Sequence, residues 1–317
     1  MKNTPARSAA ILLAAGVLLA LAPLTLRAWG LKGHEIQARV AVAALPAEMP
    51  AFFRDAHEEL AFLITEPDRW RTSEQPALTE TTGVNHTFKY ELATRPLPRN
   101  RHLFLIELVK SGKVSSAGGA GVKDFGTSPY GIQESAEMLT AAFRRWRTMP
   151  ETTPAEVTRK RMHEKSILFM AGVLGHWVTD SSQPMHASIH VHGWHPSVPN
   201  PKGYVGKDLH SRFESRYVDR AIELADVAPL VDRKPRLLGD WLREAESHVA
   251  AANAHVEQIY IWDLQAPFGG GNEPVEAKPF TAARLADGAR MLRDTWHTAW
   301  VRSGSPVPKF EANAASR

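Results

Sequence analysis

The chain carries at residues 176–186 the stretch His-Trp-Val-Thr-Asp-Ser-Ser-Gln-Pro-Met-His. His176 and Asp180 are four residues apart, so on a helix their side chains lie on the same face. Pro184 breaks a helix, and the chain can then fold back and bring His186 toward the same place. Imidazole nitrogens and carboxylate oxygens at this spacing are suitable ligands for zinc. The stretch therefore predicts a metal site at the end of a helix.

A second pair of the same ligand types follows at His210 and Glu214, again four residues apart. A single His-x-x-x-Asp pair is weak support for a metal site, because any long helix can contain one by chance. Two such pairs with a further histidine between them are much less expected from chance. The two pairs and His186 together strengthen the prediction of a metal site.

Helical patterning dominates the rest of the chain, and strand-like alternation is scarce. Residues 167–178 contain one titratable group, His176, and are too few to span a bilayer, so they predict a buried central helix. We predict helices at 34–45, 51–63, 101–111, 130–147, 156–179, 209–224, 237–260 and 281–301, and loops at 113–129, 190–208 and 265–279. This pattern predicts an all-α fold in a single domain.

The first 28 residues have the pattern of a secretory signal peptide. Lys2 and Arg7 provide a positive start, an apolar stretch without acidic residues follows at 8–26, and Ala28 suits a signal peptidase. A single transmembrane anchor is the alternative interpretation. Cleavage would leave a domain of residues 29–317 that begins at Trp29, and would place the protein in the periplasm or outside the cell.

Composition excludes few classes of function. Three of the 38 Lys and Arg residues lie in 1–28, which leaves 35 against 34 Asp and Glu, so charge argues neither for nor against nucleic acid. The chain has no cysteine and therefore no disulfides, so core size and bound metal must supply its stability. The sequence lacks the phosphate-binding, dinucleotide-binding and nucleophile-elbow motifs of other enzyme classes.

The start of the predicted domain reads Trp-Gly-Leu-Lys-Gly-His at 29–34. Cleavage before Trp29 would free its α-amine, and this amine and the Trp29 carbonyl can chelate a cation in a five-membered ring, with His34 close behind. Gly30 and Gly33 allow the tight backbone path that this chelation needs. The alternative is that Trp29 is a hydrophobic anchor for the first helix.

These motifs, taken in order along the chain, resemble the zinc-dependent phospholipase C and single-strand nuclease superfamily, whose nuclease branch is the S-one/P-one type. The resemblance covers residues 29 to about 225. It implies a mostly helical fold around a cluster of three zinc ions. It also implies a ligand set of nitrogen and oxygen donors: one zinc bound by Asp68, His86, His176 and Asp180; a second by His186, His210 and Glu214; and a third by the Trp29 amine and carbonyl, His34 and Asp180.

Two of these ligands are placed only by their order and approximate spacing. Asp68 could instead pair with a neighbouring arginine, and His86 could be an ordinary loop residue. We favour ligation, because the central helix alone cannot complete a tetrahedral site. Asp68 is also the candidate catalytic residue, since it can orient the water molecule as well as bind metal.

The motifs point to two substrates. Glu214 follows the phospholipase version of its motif, whereas the start at 29–34 is closer to the nucleases. We expect hydrolysis of single-stranded DNA or RNA by a metal-bridging hydroxide. A zinc-dependent phospholipase C acting on phospholipid is the alternative, and a non-catalytic helical zinc-binding protein is an alternative of another class. No obligate protein partner is evident.

Two further features concern the substrate site. Phe88, close to His86, is a candidate for base stacking. His190, His192 and His195 either line the substrate cleft or belong to a solvated loop.

Overall fold

Helices make up the regular structure of the part of the chain that the computed structural model describes, residues 29–113 and 121–306. The signal peptide predicted at 1–28 lies outside the described residues, and so does part of the loop predicted at 113–129. Secretion or a periplasmic location therefore stays a prediction. Within the described ranges, no helix has an apolar stretch long enough to cross a membrane.

The α-helices are numbered in chain order. They are α1 (Gly30–Ala43), α2 (Ala51–Arg54), α3 (His57–Leu63), α4 (Glu66–Arg69), α5 (Pro76–Thr82), α6 (Arg101–Lys110), α7 (Ser128–Thr148), α8 (Pro154–Asp180), α9 (Leu209–Ser211), α10 (Val218–Ala221), α11 (Leu224–Val227), α12 (Trp241–Asn253), α13 (Val256–Gln265) and α14 (Ala277–Ser303). Short 3₁₀ helices lie at Gly83–His86, Tyr90–Leu92, Val122–Asp124, Pro184–Ala187 and Ala228–Leu230, and a π-helical segment lies at Arg212–Tyr217. The described residues contain no strand, which confirms the all-α prediction.

Helix α8 is the central helix of this single helical domain. Thr153 begins it with a capping box: the Thr153 hydroxyl accepts from the Glu156 backbone N–H at 3.3 Å, and the Glu156 carboxylate accepts from the Thr153 backbone N–H at 3.0 Å. The helix packs against α3, α7 and α14. Because its C-terminal half is buried among them, its last turn carries His176 and Asp180 into the interior.

Most predicted helices are observed, but two predictions were too simple. The helix predicted at 237–260 is divided into α12 and α13, with Ala254 and His255 between them. The two halves pack on different partners, since α12 contacts α7, whereas Tyr260 of α13 packs on Trp194 and Tyr204. The helix predicted at 51–63 is likewise divided, at Asp55 and Ala56.

The segment predicted as a helix at 209–224 changes its helix type along its length. Helix α9 continues into the π-helical segment and then into α10, which ends at Ala221. A π-helical turn inserts one extra residue into a helical turn, and such turns are frequent at functional sites. His210 lies on α9, and Glu214 lies on the π-helical segment.

Candidate metal centre

Eight of the nine predicted metal ligands contribute their side chains to one buried cluster. They come from seven different elements, and none of them is more than 6% exposed. Helix α1 supplies His34, α4 supplies Asp68, the 3₁₀ helix after α5 supplies His86, α8 supplies His176 and Asp180, the 3₁₀ helix after α8 supplies His186, α9 supplies His210, and the π-helical segment supplies Glu214.

Their donor atoms form three groups, each small enough to surround one metal ion. In the first group, Asp180 Oδ1 lies 3.2 Å from His34 Nε2, and Asp180 Oδ2 lies 3.3 Å from His176 Nε2. In the second, His86 Nδ1 lies 3.0 Å from His176 Nε2 and 3.9 Å from Asp68 Oδ1. Ligands around a tetrahedral zinc are about 3.3 Å apart, given bonds of about 2.0–2.2 Å. These groups therefore have the dimensions of zinc sites.

The third group contains the ligands predicted for the second zinc. His210 Nε2 lies 2.6 Å from Glu214 Oε2 and 2.8 Å from His186 Nε2. His186 Nε2 lies 3.6 Å from Glu214 Oε2. The structure brings these three residues together in one group. The other two groups share His176, whereas the sequence-based assignment placed His176 at one zinc and shared Asp180 between two. Zinc binding by each group stays a prediction.

Several polar atoms of the cluster are buried without a hydrogen-bond partner among the described residues. Both carboxylate oxygens of Asp68 and both of Asp180 are in this state, as are His34 Nε2 and Glu214 Oε1. A buried polar group without a partner costs about 1–3 kcal/mol, and a charged group costs more. Since so many of these atoms face one another, the donor set fits bound cations.

Hydrogen bonds orient three of the histidine rings. His34 Nδ1 lies 2.8 Å from Thr179 Oγ1, and His176 Nδ1 lies 2.7 Å from the Ile64 carbonyl oxygen. His186 Nδ1 lies 2.5 Å from the His86 carbonyl oxygen. Each contact leaves Nε2 of the ring facing the cluster, which is how metal-binding histidines are commonly held.

The cluster also shifts the pKa values of its members. Burial opposes charge on Asp180, but the nearby His176 and His186 outweigh it and hold the Asp180 pKa well below its usual range. Burial lowers the pKa of His86 well below its usual range. An ionised carboxylate and a neutral imidazole are the forms that bind metal.

Trp29 lies against the end of α8. Its indole Nε1 donates to the Thr179 carbonyl at 3.0 Å and to Ser182 Oγ at 2.9 Å, and its ring is fully buried in the core. Its φ of 42° is rare for a bulky side chain. The side chain is thus an anchor for α1, as the alternative interpretation expected. Ligation by the Trp29 amine and carbonyl stays a prediction.

The alternatives to metal binding were an ion pair with an arginine for Asp68 and an ordinary loop position for His86. Arg71 Nη1 lies 3.8 Å from Asp68 Oδ1, so Asp68 faces a neighbouring arginine and the histidine cluster together. His86 is 1% exposed and its Nδ1 lies 2.9 Å from Asp180 Oδ2. An ordinary loop histidine would not be buried against a carboxylate in this way.

A cleft of about 1050 Å³ leads to the cluster and is lined by His86, His186 and His210. The other lining residues include three cationic side chains, Arg71, Lys89 and Lys123. Sequence analysis did not identify these three residues.

The histidines of the 190–208 loop occupy different environments. His192 lines the cleft. His190 is buried and stacks on Trp194 at 3.9 Å, whereas His195 is outside the cleft. His192 therefore lies in the candidate cleft, as the first interpretation expected, whereas His195 belongs to the loop outside it.

The proposal that Phe88 stacks on a base is wrong. Phe88 is 1% exposed, and its ring packs 6.0 Å from that of Phe104 in a small second core. Its neighbours Thr87 and Lys89 line the cleft instead, because successive side chains of an extended segment point to opposite sides. The alternation Thr-Phe-Lys was the signal in the sequence that could have identified Lys89.

Comparisons with known proteins give limited information. No family model matches the chain, and no curated protein matches it. Its structure is similar to that of alpha-toxin from Clostridium perfringens, avian strain SWCP, with a TM-score of 0.41 and 14% sequence identity. The match covers 87% of this chain and 65% of the alpha-toxin chain, so the protein spans less than two thirds of that length.

Proposed function

We propose that the protein is a zinc-dependent phosphodiester hydrolase with three zinc ions. The observation that supports this most directly is the buried cluster of histidines and carboxylates at the base of a cleft that three cationic side chains help to line. Nitrogen and oxygen donors without cysteine suit zinc in an exported protein. The site of His186, His210 and Glu214 has three protein ligands, as catalytic zinc sites do, whereas structural sites usually have four.

Bound zinc would polarise the phosphoryl group and supply a water-derived nucleophile near neutral pH. The residues of the chain bind and orient the reactants. Five charged side chains line the cleft: Arg71, Lys89, Lys123, Glu80 and Asp124. The cations exceed the carboxylates by one, and this excess attracts an anionic diester. Asp68 lies between the histidines and Arg71, and we propose that its carboxylate orients the attacking water as well as binding metal.

The residues that line the cleft change which of the two candidate substrates we prefer. Proteins that bind single-stranded nucleic acid usually stack bases on aromatic rings. No Phe, Tyr or Trp is among the described residues that line the cleft. The nucleic-acid interpretation therefore lacks its expected support, and we place phospholipid first and single-stranded DNA or RNA second.

An exposed apolar face supports the choice of phospholipid. On helix α6, Leu103, Ile106 and Val109 follow one another at intervals of three residues and are 39%, 47% and 61% exposed. Residues at this spacing lie along one side of a helix. Lys110 and Lys113 extend this face with positive charge. Such a combination suits contact with an anionic lipid surface.

Helix α6 is connected to the wall of the cleft. Lys113, just after the helix, donates from Nζ to the Leu92 carbonyl at 2.9 Å. Leu92 lies three residues after Lys89, which lines the cleft. A lipid surface that contacts α6 is therefore near the cleft.

The test is a side-by-side assay of the zinc-loaded protein on phospholipid vesicles, single-stranded DNA and RNA. We expect release of a phosphorylated head group from the vesicles at a higher rate than cleavage of either nucleic acid. Rapid cleavage of DNA or RNA without lipid hydrolysis would reverse the order. No hydrolysis of any of the three would support the non-catalytic alternative.

A further inference from the structure

Lys89 is a buried cation without a counter-ion. It is 9% exposed and lines the cleft together with His86, His186 and His210. Among the described residues, its ammonium has no hydrogen bond and no ion pair. The ammonium keeps some contact with the cleft, and an anion there would compensate for the hydration that it has lost.

The backbone holds Lys89 at this position. Its N–H donates to the Phe125 carbonyl at 2.7 Å, and the N–H of Phe88 donates to the His186 carbonyl at 2.8 Å. The segment is thus fixed between the loop before α7 and the segment that carries His186. These contacts hold the backbone in a position from which the Lys89 side chain lines the cleft.

The nearest carboxylates are already paired with other groups. Glu91 accepts hydrogen bonds from Ser188 Oγ at 2.6 Å and from the Ile189 backbone N–H at 3.0 Å. Asp124 accepts from the Gly121 backbone N–H at 2.6 Å. Neither carboxylate comes within ion-pair distance of Lys89, although both are close enough to raise its pKa.

The net positive charge of the proposed metal centre is also larger than the negative charge of a single phosphodiester group. Three zinc ions bring about six positive charges, and Asp68, Asp180 and Glu214 remove about three. A phosphodiester group carries a single negative charge. Among the charged side chains of the cleft, Arg71, Lys89 and Lys123 outnumber Glu80 and Asp124 by one. The cleft has a volume of about 1050 Å³, which is larger than one phosphate needs.

We propose that Lys89 forms a subsite for a second anionic group of the substrate, a phosphate monoester or a carboxylate beside the scissile phosphodiester. Lys123, on the same cleft, adds to the positive charge there. This inference rests on the proposed hydrolase function and makes it more specific. It selects phosphodiesters with an anionic head group over those with a neutral or quaternary ammonium head group.

The test uses a matched pair of soluble chromogenic substrates, 2-phosphoethyl and 2-methoxyethyl p-nitrophenyl phosphate. The wild-type zinc protein should hydrolyse the first with a kcat/KM about tenfold higher, because a charge-assisted hydrogen bond in a partly desolvated site has about this effect. Lys89→Met should remove this preference and keep hydrolysis of the methoxyethyl ester. Lys89→Arg should retain part of the preference.

The matched control is Lys165→Met, which removes one positive charge from an exposed position on α8, outside the cleft. It should leave the ratio of the two kcat/KM values unchanged. An equal preference in wild type and Lys89→Met would overturn the subsite. So would an equal loss of activity on both esters, because Lys89 would then contact the scissile phosphate.

A binding measurement separates failure of the subsite from failure of the hydrolase proposal. Calorimetry compares 1,2-ethanediol bisphosphate with 2-hydroxyethyl phosphate, and neither ligand has to be hydrolysed. Wild type should bind the bisphosphate about tenfold more tightly, and Lys89→Met should bind the two with similar affinity. If neither ester is hydrolysed but this difference is found, the hydrolase proposal fails and the anion subsite stands. Equal affinities in wild type would overturn the subsite.

Discussion

At the scale of single residues, Asp180 is the most informative side chain. It is fully buried, and its two oxygens face histidines from α1, α8 and the 3₁₀ helix after α5. The interval between His176 and Asp180 was readable from the sequence, because helical periodicity is a local property. The approach of His34 and His86 was implied by resemblance alone, since contacts between distant segments depend on tertiary packing.

Asp180→Asn tests the central ligand with almost no change of shape. We expect loss of zinc and a loss of stability of about 3–5 kcal/mol, because removing one partner leaves buried charges without compensation. Elemental analysis and thermal unfolding measure the two effects. Asp55→Asn is the control on an exposed aspartate and should stay within about 0.5 kcal/mol. Full zinc content in Asp180→Asn would remove this residue from the ligand set.

Trp29 permits a test that leaves every side chain in place. A chain that begins at Trp29 should bind a third zinc and be fully active, because its α-amine is free to coordinate. A chain with one retained methionine before Trp29 should bind one zinc fewer and lose most of its turnover. Zinc content and activity are compared between the two chains. Equal values would show that Trp29 is only the anchor that its buried indole ring suggests.

Lys89 predicts a pH dependence of selectivity. Burial lowers its pKa to about 8, with Arg71 acting in the same direction and Glu91 and Asp124 opposing it. The ammonium is therefore present below this pKa and lost above it, and bound zinc shifts the loss to lower pH. The kcat/KM ratio of the phosphoethyl and methoxyethyl esters should fall as pH rises, with the midpoint of the fall at or below about 8.

Ionisation of the phosphoethyl ester would change the kcat/KM ratio in the opposite direction, so it can be distinguished from ionisation of Lys89. A phosphate monoester gains its second charge near pH 6, so its own charge does not decrease at higher pH. Lys89→Arg should keep the preference up to about pH 9.5, because a guanidinium stays protonated. A ratio that is constant with pH in wild type would contradict the prediction.

At the scale of elements, the long helices were predictable and the short ones were not. Helices α7, α8 and α14 have apolar residues at helical spacing over many turns, so their existence and approximate bounds followed from the sequence. Helices α4 and α5 are only four and seven residues long. Elements of this length are stabilised mainly by tertiary packing, and their own sequence carries little periodicity.

Helix α6 was predicted with nearly correct bounds, but its function was not foreseen. Helix α6 has apolar residues on two sides, and one of these sides faces outward. The sequence alone does not distinguish the outward side from the side that faces the core. Phe104 and Leu108 of the same helix are buried, whereas Ile106 and Val109 are exposed. The exposed face became visible only when the structure showed which side packs.

The double substitution Ile106→Ser and Val109→Ser tests the role of this face. Vesicle binding and vesicle hydrolysis should fall at least about tenfold, because two partly buried apolar side chains contribute about 2 kcal/mol at a lipid surface. Hydrolysis of the soluble methoxyethyl ester should not change. Val275→Ser, at a residue that is 82% exposed between α13 and α14, is the control. An equal loss on the soluble ester would show that the substitutions disturb the fold.

At the scale of the whole molecule, the proposed metal centre joins elements that are far apart in the chain. The side chains of its candidate ligands span residues 34 to 214 and lie on or beside α1, α4, α8 and α9. The chain has no cysteine, so no disulfide connects these elements. Without cations, three buried carboxylates and five buried histidines would face one another at short distances. Metal binding and folding should therefore be strongly coupled.

Removal of zinc should lower the stability of the whole domain and not only its activity. Elemental analysis of protein purified without chelator should give about three zinc ions per chain, one for each group of ligands. A bound zinc ion contributes about 4 kcal/mol to stability when the free zinc concentration is a thousand times its dissociation constant. For a domain of this size, its loss lowers the melting temperature by about 8–16 °C. Thermal unfolding before and after chelation measures the shift, and readdition of zinc should reverse it. A chelated protein that unfolds at the original temperature would show that the buried cluster is stable without metal. In the elemental analysis, a content of one zinc or none would contradict the three-ion centre.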